Sequence, residues 1–181
     1  MKRTVIKKML LLLLVLCFAW VSVGAVNLSK GNDDAGKEAV EETACEPELV
    51  FSTVDSDGQE WTDSCFRDAS LTMLNLWAYW CPPCVGELPD LQKLSEDYAE
   101  RGFRILGVSL EDYEQDNLQT MEELGVTYPC LRLTEELDEV LSTGYVPTSI
   151  FINQEGKIVS EAIVGSRSYD DWAEMIEELL G

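Results

Sequence analysis

The stretch Trp80-Cys81-Pro82-Pro83-Cys84 decides the fold, because it joins two segments with different hydrophobic patterns. Residues 71–78 before it are mostly apolar and predict a strand buried in a sheet. Residues 85–101 after it carry apolar side chains on one stripe and predict a helix. Two cysteines at this spacing can close into a disulfide, and a thiol at a helix N-terminus is favoured as the nucleophilic thiolate. Strand, CxxC pair and helix together indicate redox chemistry.

A structural zinc site is the main alternative for a CxxC pair. Such a site needs four ligands, and a second close pair of cysteines or histidines is missing here. The chain has no histidine, and its other cysteines stand singly at Cys17, Cys45, Cys65 and Cys130. The sequence has no nucleotide-binding or flavin-binding motif either. We therefore predict neither a metal nor a cofactor.

The N-terminus has the features of an export signal. An uncharged apolar run over residues 9–26 follows four basic residues, Lys2, Arg3, Lys7 and Lys8. Small residues at 23–25 suit cleavage after Ala25, which would make residues 1–25 a signal peptide. A run of about 18 apolar residues also reaches the lower limit for a membrane span, so a retained membrane anchor stays open. In either case we expect the remainder to be exported, to the periplasm or another extracytoplasmic compartment.

The rest of the chain divides into a linker and one domain. Residues 26–47 are polar and acidic and predict a disordered linker. Residues 48–181 are long enough to bury the core of a single domain. The whole chain has 13 Lys and Arg against 34 Asp and Glu, a net charge of −21. This charge argues against a nucleic-acid partner and against binding to anionic membrane surfaces.

The pattern within this domain predicts a mixed sheet with helices on both faces. Residues 49–54 and 59–62 flank an Asp-Gly turn and predict an N-terminal hairpin. Further strands are predicted at residues 103–110, 128–133, 149–153 and 158–164, and further helices at 114–124, 135–142 and 172–180. Because strands alternate with helices first and a hairpin comes late, the fold class is α/β.

Several motifs resemble one family. They are Asn75-Leu76-Trp77-Ala78-Tyr79-Trp80-Cys81-Pro82-Pro83-Cys84, Glu87-Leu88-Pro89, Val146-Pro147-Thr148 and residues 151–157. Together they resemble the exported TlpA/ResA-type thiol-disulfide oxidoreductases over about residues 51–180. The resemblance implies a thioredoxin fold with an N-terminal β-hairpin and a mid-fold insertion after Glu111.

The resemblance also implies roles for the residues around the CxxC pair. Cys81 would be the exposed attacking thiol and Cys84 the less accessible resolving thiol, and together they would form the redox-active disulfide. Pro147 would be a cis-proline facing the pair, although an ordinary trans turn proline is the alternative. The backbone of Val146 would then pair with an extended substrate segment.

Three residues of the CxxC segment are predicted to meet the substrate. Trp80 would cover the site and contact the partner, whereas Trp77 is expected in the core. Pro82 and Pro83 stiffen the loop between the cysteines and remove two N–H donors.

Glu87 follows Cys84 by about one helical turn. The resemblance implies that this acid tunes the thiols and moves protons, because exchange requires proton transfer and the chain has no histidine. The alternative is a glutamate favoured in the first turn by the helix macrodipole. Asn75 stands where ordinary thioredoxin has a buried aspartate, and an asparagine cannot exchange a proton. This difference favours Glu87 as the proton carrier.

The remaining cysteines of the exported part give weaker predictions. Cys45 and Cys65 are candidates for a disulfide that would fix the linker to the domain. Cys130 is expected to be a buried, inert thiol.

The predicted function is an exported thiol-disulfide oxidoreductase that exchanges disulfides with protein substrates. Reduction is the favoured direction, as in cytochrome c maturation or electron supply to another exported thiol enzyme, with a membrane or exported redox partner. A peroxiredoxin-type thiol peroxidase is one alternative, although Ala78 and Asn75 stand near the positions where that class needs a Thr or Ser and a Pro. A non-catalytic thioredoxin-fold binding module with a structural disulfide is the other.

Overall fold

The computed structural model describes residues 48–110 and 114–181. The predicted signal or anchor (1–25) and the predicted linker (26–47), including Cys45, lie outside the described residues. Within the described ranges, no helix combines the length and apolar character needed to cross a membrane.

A five-stranded mixed sheet forms the centre of the domain. Its strands run in the order β5-β4-β3-β6-β7. Their bounds are β3 Leu71–Trp77, β4 Phe103–Ser109, β5 Cys130–Arg132, β6 Thr148–Asn153 and β7 Ile163–Val164. Strand β3 pairs in parallel with β4 and antiparallel with β6, so that Asn75 lies between Gly107 and Ser149. All seven residues of β3 are buried, as its apolar sequence predicts.

Within the described part of the chain, four α-helices cover the two faces of the sheet. Their bounds are α1 Pro82–Asp97, α2 Glu114–Leu124, α3 Glu135–Leu141 and α4 Tyr169–Leu180. One hydrophobic cluster joins β3 to α1 and α4 through Trp77, Leu88 and Trp172. The second cluster lies on the other face and includes Phe66, Leu76 and Leu137. The predicted thioredoxin-type α/β fold is confirmed.

The predicted N-terminal hairpin is present as β1 (Ser52–Val54) and β2 (Glu60–Thr62). The buried Asp55 carboxylate accepts hydrogen bonds from the Asp57 N–H at 3.0 Å, the Gln59 N–H at 2.9 Å and the Trp61 indole at 2.8 Å. Gly58 closes the turn at φ 79°. The Asp55 carboxylate therefore fixes a turn that the Asp-Gly pair alone only indicates.

Several element bounds differ from the sequence prediction for local reasons. The predicted strand over 158–164 is reduced to β7 and an isolated bridge at Ile158, because the Ser160 hydroxyl accepts the Phe151 N–H at 2.9 Å. Helix α4 begins earlier than predicted, because Ser168 forms a capping box with Asp171. A 3-10 helix at Asp63–Asp68 was not predicted.

Gly107 provides the space that the ring of Tyr128 occupies over β4. A Cβ at this position would lie 3.3 Å from Trp77 Nε1, 3.3 Å from Tyr128 Cε2 and 3.5 Å from Cys130 Sγ. We expect Gly107→Val to lower the free energy of unfolding by about 1–3 kcal/mol, because the buried neighbours must shift. Urea denaturation measures this change.

Gly86 gives the matched control for that substitution. It lies on the exposed side of α1, where an added Cβ meets nothing within 4 Å. Gly86→Ala should stabilise the protein by about 0.5–1 kcal/mol through helix propensity. Equal effects of the two substitutions would contradict the packing argument.

Candidate active site

Cys81 and Cys84 form a disulfide at the N-terminus of α1. Their Cα atoms are 5.3 Å apart. Cys81 is the N-cap residue, and its sulfur accepts the Cys84 N–H at 3.3 Å. Pro82 and Pro83 occupy the first two helical positions, where proline is well tolerated because the N–H groups there have no intrahelical partner. The turn from β3 into the helix therefore places both sulfurs at one helix end.

The sulfurs are less accessible than the sequence suggests. Cys84 is fully buried, as expected, but Cys81 is only 4% exposed, so the expectation of an exposed Cys81 is wrong for this disulfide form. The reason is a distant loop, since Cys81 Sγ lies 3.6 Å from the Val146 carbonyl oxygen. Trp80, which precedes Cys81, is 50% exposed, and Pro82 and Pro83, which follow it, are also exposed.

The loop before β6 faces the disulfide. The Val146–Pro147 peptide bond is cis. The Thr148 hydroxyl donates to the Tyr145 carbonyl at 2.8 Å and lies 2.9 Å from the Thr143 hydroxyl, which fixes the loop conformation. The Pro147 carbonyl accepts the Gly165 N–H at 2.8 Å. The structure thus brings Val146 and Pro147 to the CxxC pair across more than sixty residues of chain.

A small groove of about 190 Å³ lies beside this loop. It is lined by Leu76, Trp80, Leu110, Ser142, Gly144, Tyr145 and Val146. Tyr145 is 70% exposed at its edge. Neither Tyr145 nor Leu110 was predicted as a site residue, although an aromatic residue two positions before the expected cis-proline is a usable signal.

Glu87 follows Cys84 by about one turn on α1 and is only 3% exposed. Its Oε1 accepts the Asn75 side-chain amide at 3.2 Å. Its Oε2 accepts the Arg167 backbone N–H at 3.2 Å and the Trp172 indole N–H at 3.4 Å. Burial raises the pKa of Glu87 above its ordinary value, while these donors and the Arg167 charge oppose that rise. The carboxyl is therefore a buried titratable group with three hydrogen-bond donors.

Asn75 acts as a donor in this site. Its amide nitrogen also donates to the Ser149 hydroxyl at 3.0 Å, so one side chain joins β3, β6 and α1. The sequence does not predict Ser149, Arg167 or Trp172 as site residues, because no local pattern marks residues that meet Glu87 or Asn75 only through the fold.

Two other cysteines are separate from the active site. Cys130 is buried and accepts the Trp77 indole N–H at 3.4 Å, and burial raises the pKa of its thiol to about 11. The expected buried, inert Cys130 and the core position of Trp77 agree with this geometry. Cys65 is a buried free thiol, and the predicted Cys45–Cys65 disulfide stays a prediction because Cys45 lies outside the described residues.

The contribution of Glu87 to the free energy of unfolding should depend on pH in a definite direction. Because burial raises its pKa in the folded state above 4.5, the folded protein binds this proton more tightly than the unfolded chain. The stability advantage of wild type over Glu87→Gln should be largest in acid and should decline as pH rises through the raised folded pKa. Urea unfolding of both proteins between about pH 4 and pH 8 measures this difference. The exposed Glu155→Gln variant serves as control, and a pH-independent difference for Glu87→Gln would contradict the burial argument.

Within residues 48–110 and 114–181, no group of three His, Cys, Asp or Glu side chains is placed to hold a metal ion.

A CxxC disulfide at a helix N-terminus, facing a loop with a cis-proline in this sheet topology, defines the class of thioredoxin-like thiol-disulfide oxidoreductases.

Comparisons with known proteins agree with this class. Residues 42–161 match the model of the AhpC/TSA family. A thiol-disulfide oxidoreductase ResA from Oceanobacillus iheyensis is 36% identical over 99 residues, and the alignment covers 54% of this chain but only about half, 51%, of that protein. The ResA of Geobacillus thermodenitrificans is 28% identical over 181 residues, covering 98% of this chain and 97% of the relative.

A solved structure from Chlorobium tepidum TLS is similar to this chain. It is a thiol:disulfide interchange protein of the thioredoxin family, with a TM-score of 0.66 and 30% identity over 75% of this chain and 97% of that one. The chain belongs to the AhpC/TSA family. The predicted resemblance to TlpA/ResA-type proteins and the predicted enzyme class, a thiol-disulfide oxidoreductase, are confirmed.

Proposed function

We propose that this protein is exported and reduces disulfides in protein substrates, with Cys81 as nucleophile, Cys84 as resolving thiol and Glu87 as proton carrier. The observation that carries the proposal is the Cys81–Cys84 disulfide at the start of α1, with Cys81 Sγ 3.6 Å from the Val146 carbonyl and Glu87 buried close by on the same helix. The apolar, basic-flanked N-terminus supports export.

The reaction starts from the reduced pair. The Cys81 thiolate attacks one sulfur of the substrate disulfide, and the other substrate sulfur leaves as a thiolate. The Glu87 carboxylate takes the proton of the Cys84 thiol, and the Cys84 thiolate then attacks Cys81 Sγ. The second substrate sulfur leaves, so the substrate gains two electrons and the enzyme ends as the observed disulfide. A membrane or exported redox partner then returns two electrons to the pair.

The exposed residues around the sulfurs would contact the substrate. Trp80, Pro82 and Pro83 surround the disulfide at the surface. Val146 presents its backbone beside Cys81, and the cis Pro147 follows it. An extended segment of a protein substrate can lie along Val146 with its cysteine next to Cys81, and the apolar groove at Trp80 and Tyr145 can receive a neighbouring side chain.

The prolines support the reducing direction. An N-cap side chain accepts hydrogen bonds from the second or third helical N–H, and here the second position is Pro83, which has none. Among the described residues, the Cys84 N–H is the one donor to Cys81 Sγ, at 3.3 Å. A thiolate with few donors is less stabilised, and a dithiol whose reduced form is less stabilised is a stronger reductant.

Equilibration with glutathione buffers tests the direction. We expect a reduction potential below about −200 mV, and a potential near −120 mV, typical of a dedicated oxidant, would refute the reducing role. Pro83→Ala adds a donor at the second helical position and should raise the potential. Pro82→Ala is the matched control, because an N–H at the first position does not reach the capping sulfur.

Trapping tests the substrate class. Cys84→Ser, expressed in its own cell, should retain protein substrates as mixed disulfides on Cys81, and these should be released by dithiothreitol. The Cys81→Ser, Cys84→Ser double variant is the control and should retain none. Consumption of hydrogen peroxide by Cys84→Ser, with no trapped protein, would instead favour the thiol peroxidase.

A further inference from the structure

The short turn at residues 165–168, between β7 and α4, contacts both sides of the active site; we refer to it as the Arg167 turn. Gly165 donates its N–H to the Pro147 carbonyl at 2.8 Å. Arg167 donates its backbone N–H to Glu87 Oε2 at 3.2 Å. Ser168 then caps α4, whose Trp172 donates a further bond to Glu87 at 3.4 Å. One turn therefore holds the proline loop and the buried carboxylate together.

The side chain of Arg167 stabilises this turn from within. Its Nη1 donates to the Gly165 carbonyl and to the Ser166 carbonyl, each at 3.0 Å. Gly165 lies at φ 87°, a conformation that favours glycine and lets the chain reverse beneath the guanidinium. The guanidinium thus holds the turn closed and places a positive charge near Glu87, in a chain with a net charge of −21.

We infer that Arg167 is a positioning residue for Glu87: its guanidinium closes the Arg167 turn, and the turn holds the Glu87 carboxylate and the Pro147 carbonyl in one unit. This inference rests on the proposed role of Glu87. It extends that role, because it assigns the orientation and ionisation of the proton carrier to a residue eighty positions away in the sequence.

The groups around Glu87 come from several elements. Arg167 supplies the positive charge from the turn. The Tyr128 hydroxyl, on the segment before β5, is buried with no hydrogen-bond partner among the described residues, and its pKa is raised by burial and, to a smaller extent, by Cys130 and Glu87. Cys84 lies one turn earlier on α1, at the disulfide. Among these neighbours Arg167 is the cation, so its removal should make the Glu87 carboxylate harder to form.

The test is a titration of Glu87 by carbon NMR in the full reduced protein, with Arg167→Met compared with wild type. We expect the Glu87 midpoint to rise by roughly 0.5–1 pH unit, because one partly solvated cation is lost and the turn loosens. Arg101→Met is the matched control. It removes a cation that pairs with Glu177 at 2.7 Å on the surface and should leave the Glu87 midpoint unchanged. An unchanged midpoint in Arg167→Met, or an equal rise in Arg101→Met, would overturn the inference.

Two further measurements distinguish failure of the Arg167 positioning role from failure of the Glu87 proton role. If Arg167→Met does not fold, amide hydrogen exchange in wild type still tests the turn. The N–H groups of residues 165 and 167 should be protected at least about tenfold relative to an unstructured peptide, and unprotected amides would overturn the inference. The rate of disulfide exchange against pH tests Glu87 itself. If the NMR midpoint moves and the acid limb of the rate does not, the proton role of Glu87 fails while the positioning role of Arg167 stands.

Discussion

Cys81→Ser should lower the rate of disulfide exchange by at least about a thousandfold. A serine hydroxyl cannot replace the thiolate as nucleophile, and Cys84 cannot substitute for it, because Cys84 is completely buried on the first turn of α1. The assay is the reduction of a protein disulfide such as insulin with dithiothreitol as electron donor.

Cys130→Ala is the matched control for this variant. Cys130 is also a buried thiol, but it is hydrogen-bonded to Trp77 and lies on β5, apart from the disulfide. Its removal should leave the exchange rate within about twofold of wild type. Retention of a tenth or more of the rate by Cys81→Ser would show that another group performs the attack.

Trp172→Ala should lower the free energy of unfolding by about 3–5 kcal/mol. Trp172 has no exposed surface, and its ring meets Phe151 edge-on with 6.1 Å between centroids. The substitution leaves a cavity between α4 and the sheet, and it also removes one hydrogen bond from Glu87. Chemical denaturation at neutral pH measures the loss.

Trp172→Phe separates packing from hydrogen bonding. A phenylalanine keeps most of the apolar contact with Phe151 but cannot donate to Glu87, so the expected loss is smaller, about 1–2 kcal/mol. The Glu87 pKa should also rise, because a donor that favours the carboxylate is gone. Equal losses for the two variants would mean that the indole N–H, and not the ring, is responsible.

The sequence predicts those parts of the site that are local in the chain. The apolar run at Leu71–Trp77, the CxxC pair and the following helix are each visible within about twenty residues, and the disulfide and the helix start agree with that prediction. The hairpin at the Asp-Gly turn is likewise predicted from a short stretch of sequence. Hydrophobic period and turn chemistry are sufficient for such elements.

The parts that depend on distant contacts could not be derived in this way. Cys81 is buried because the Val146 loop, 65 residues further along, covers its sulfur. The Glu87 site draws its donors from Asn75, Arg167 and Trp172, at separations of 12, 80 and 85 residues. Burial and hydrogen bonding of this kind are set by tertiary packing, which leaves no periodic signal in one sequence.

The hairpin at the start of the domain has a consequence for solubility. Strand β5 is one of the two outer strands of the sheet, and an outer strand offers free backbone groups to any extended chain. Here Asp55 bridges to Leu131, the Ser56 N–H donates to the Cys130 carbonyl at 3.1 Å, and the Thr53 hydroxyl donates to the Arg132 carbonyl at 2.8 Å. The hairpin thereby blocks strand addition along β5, so this edge is protected from aggregation with other extended chains.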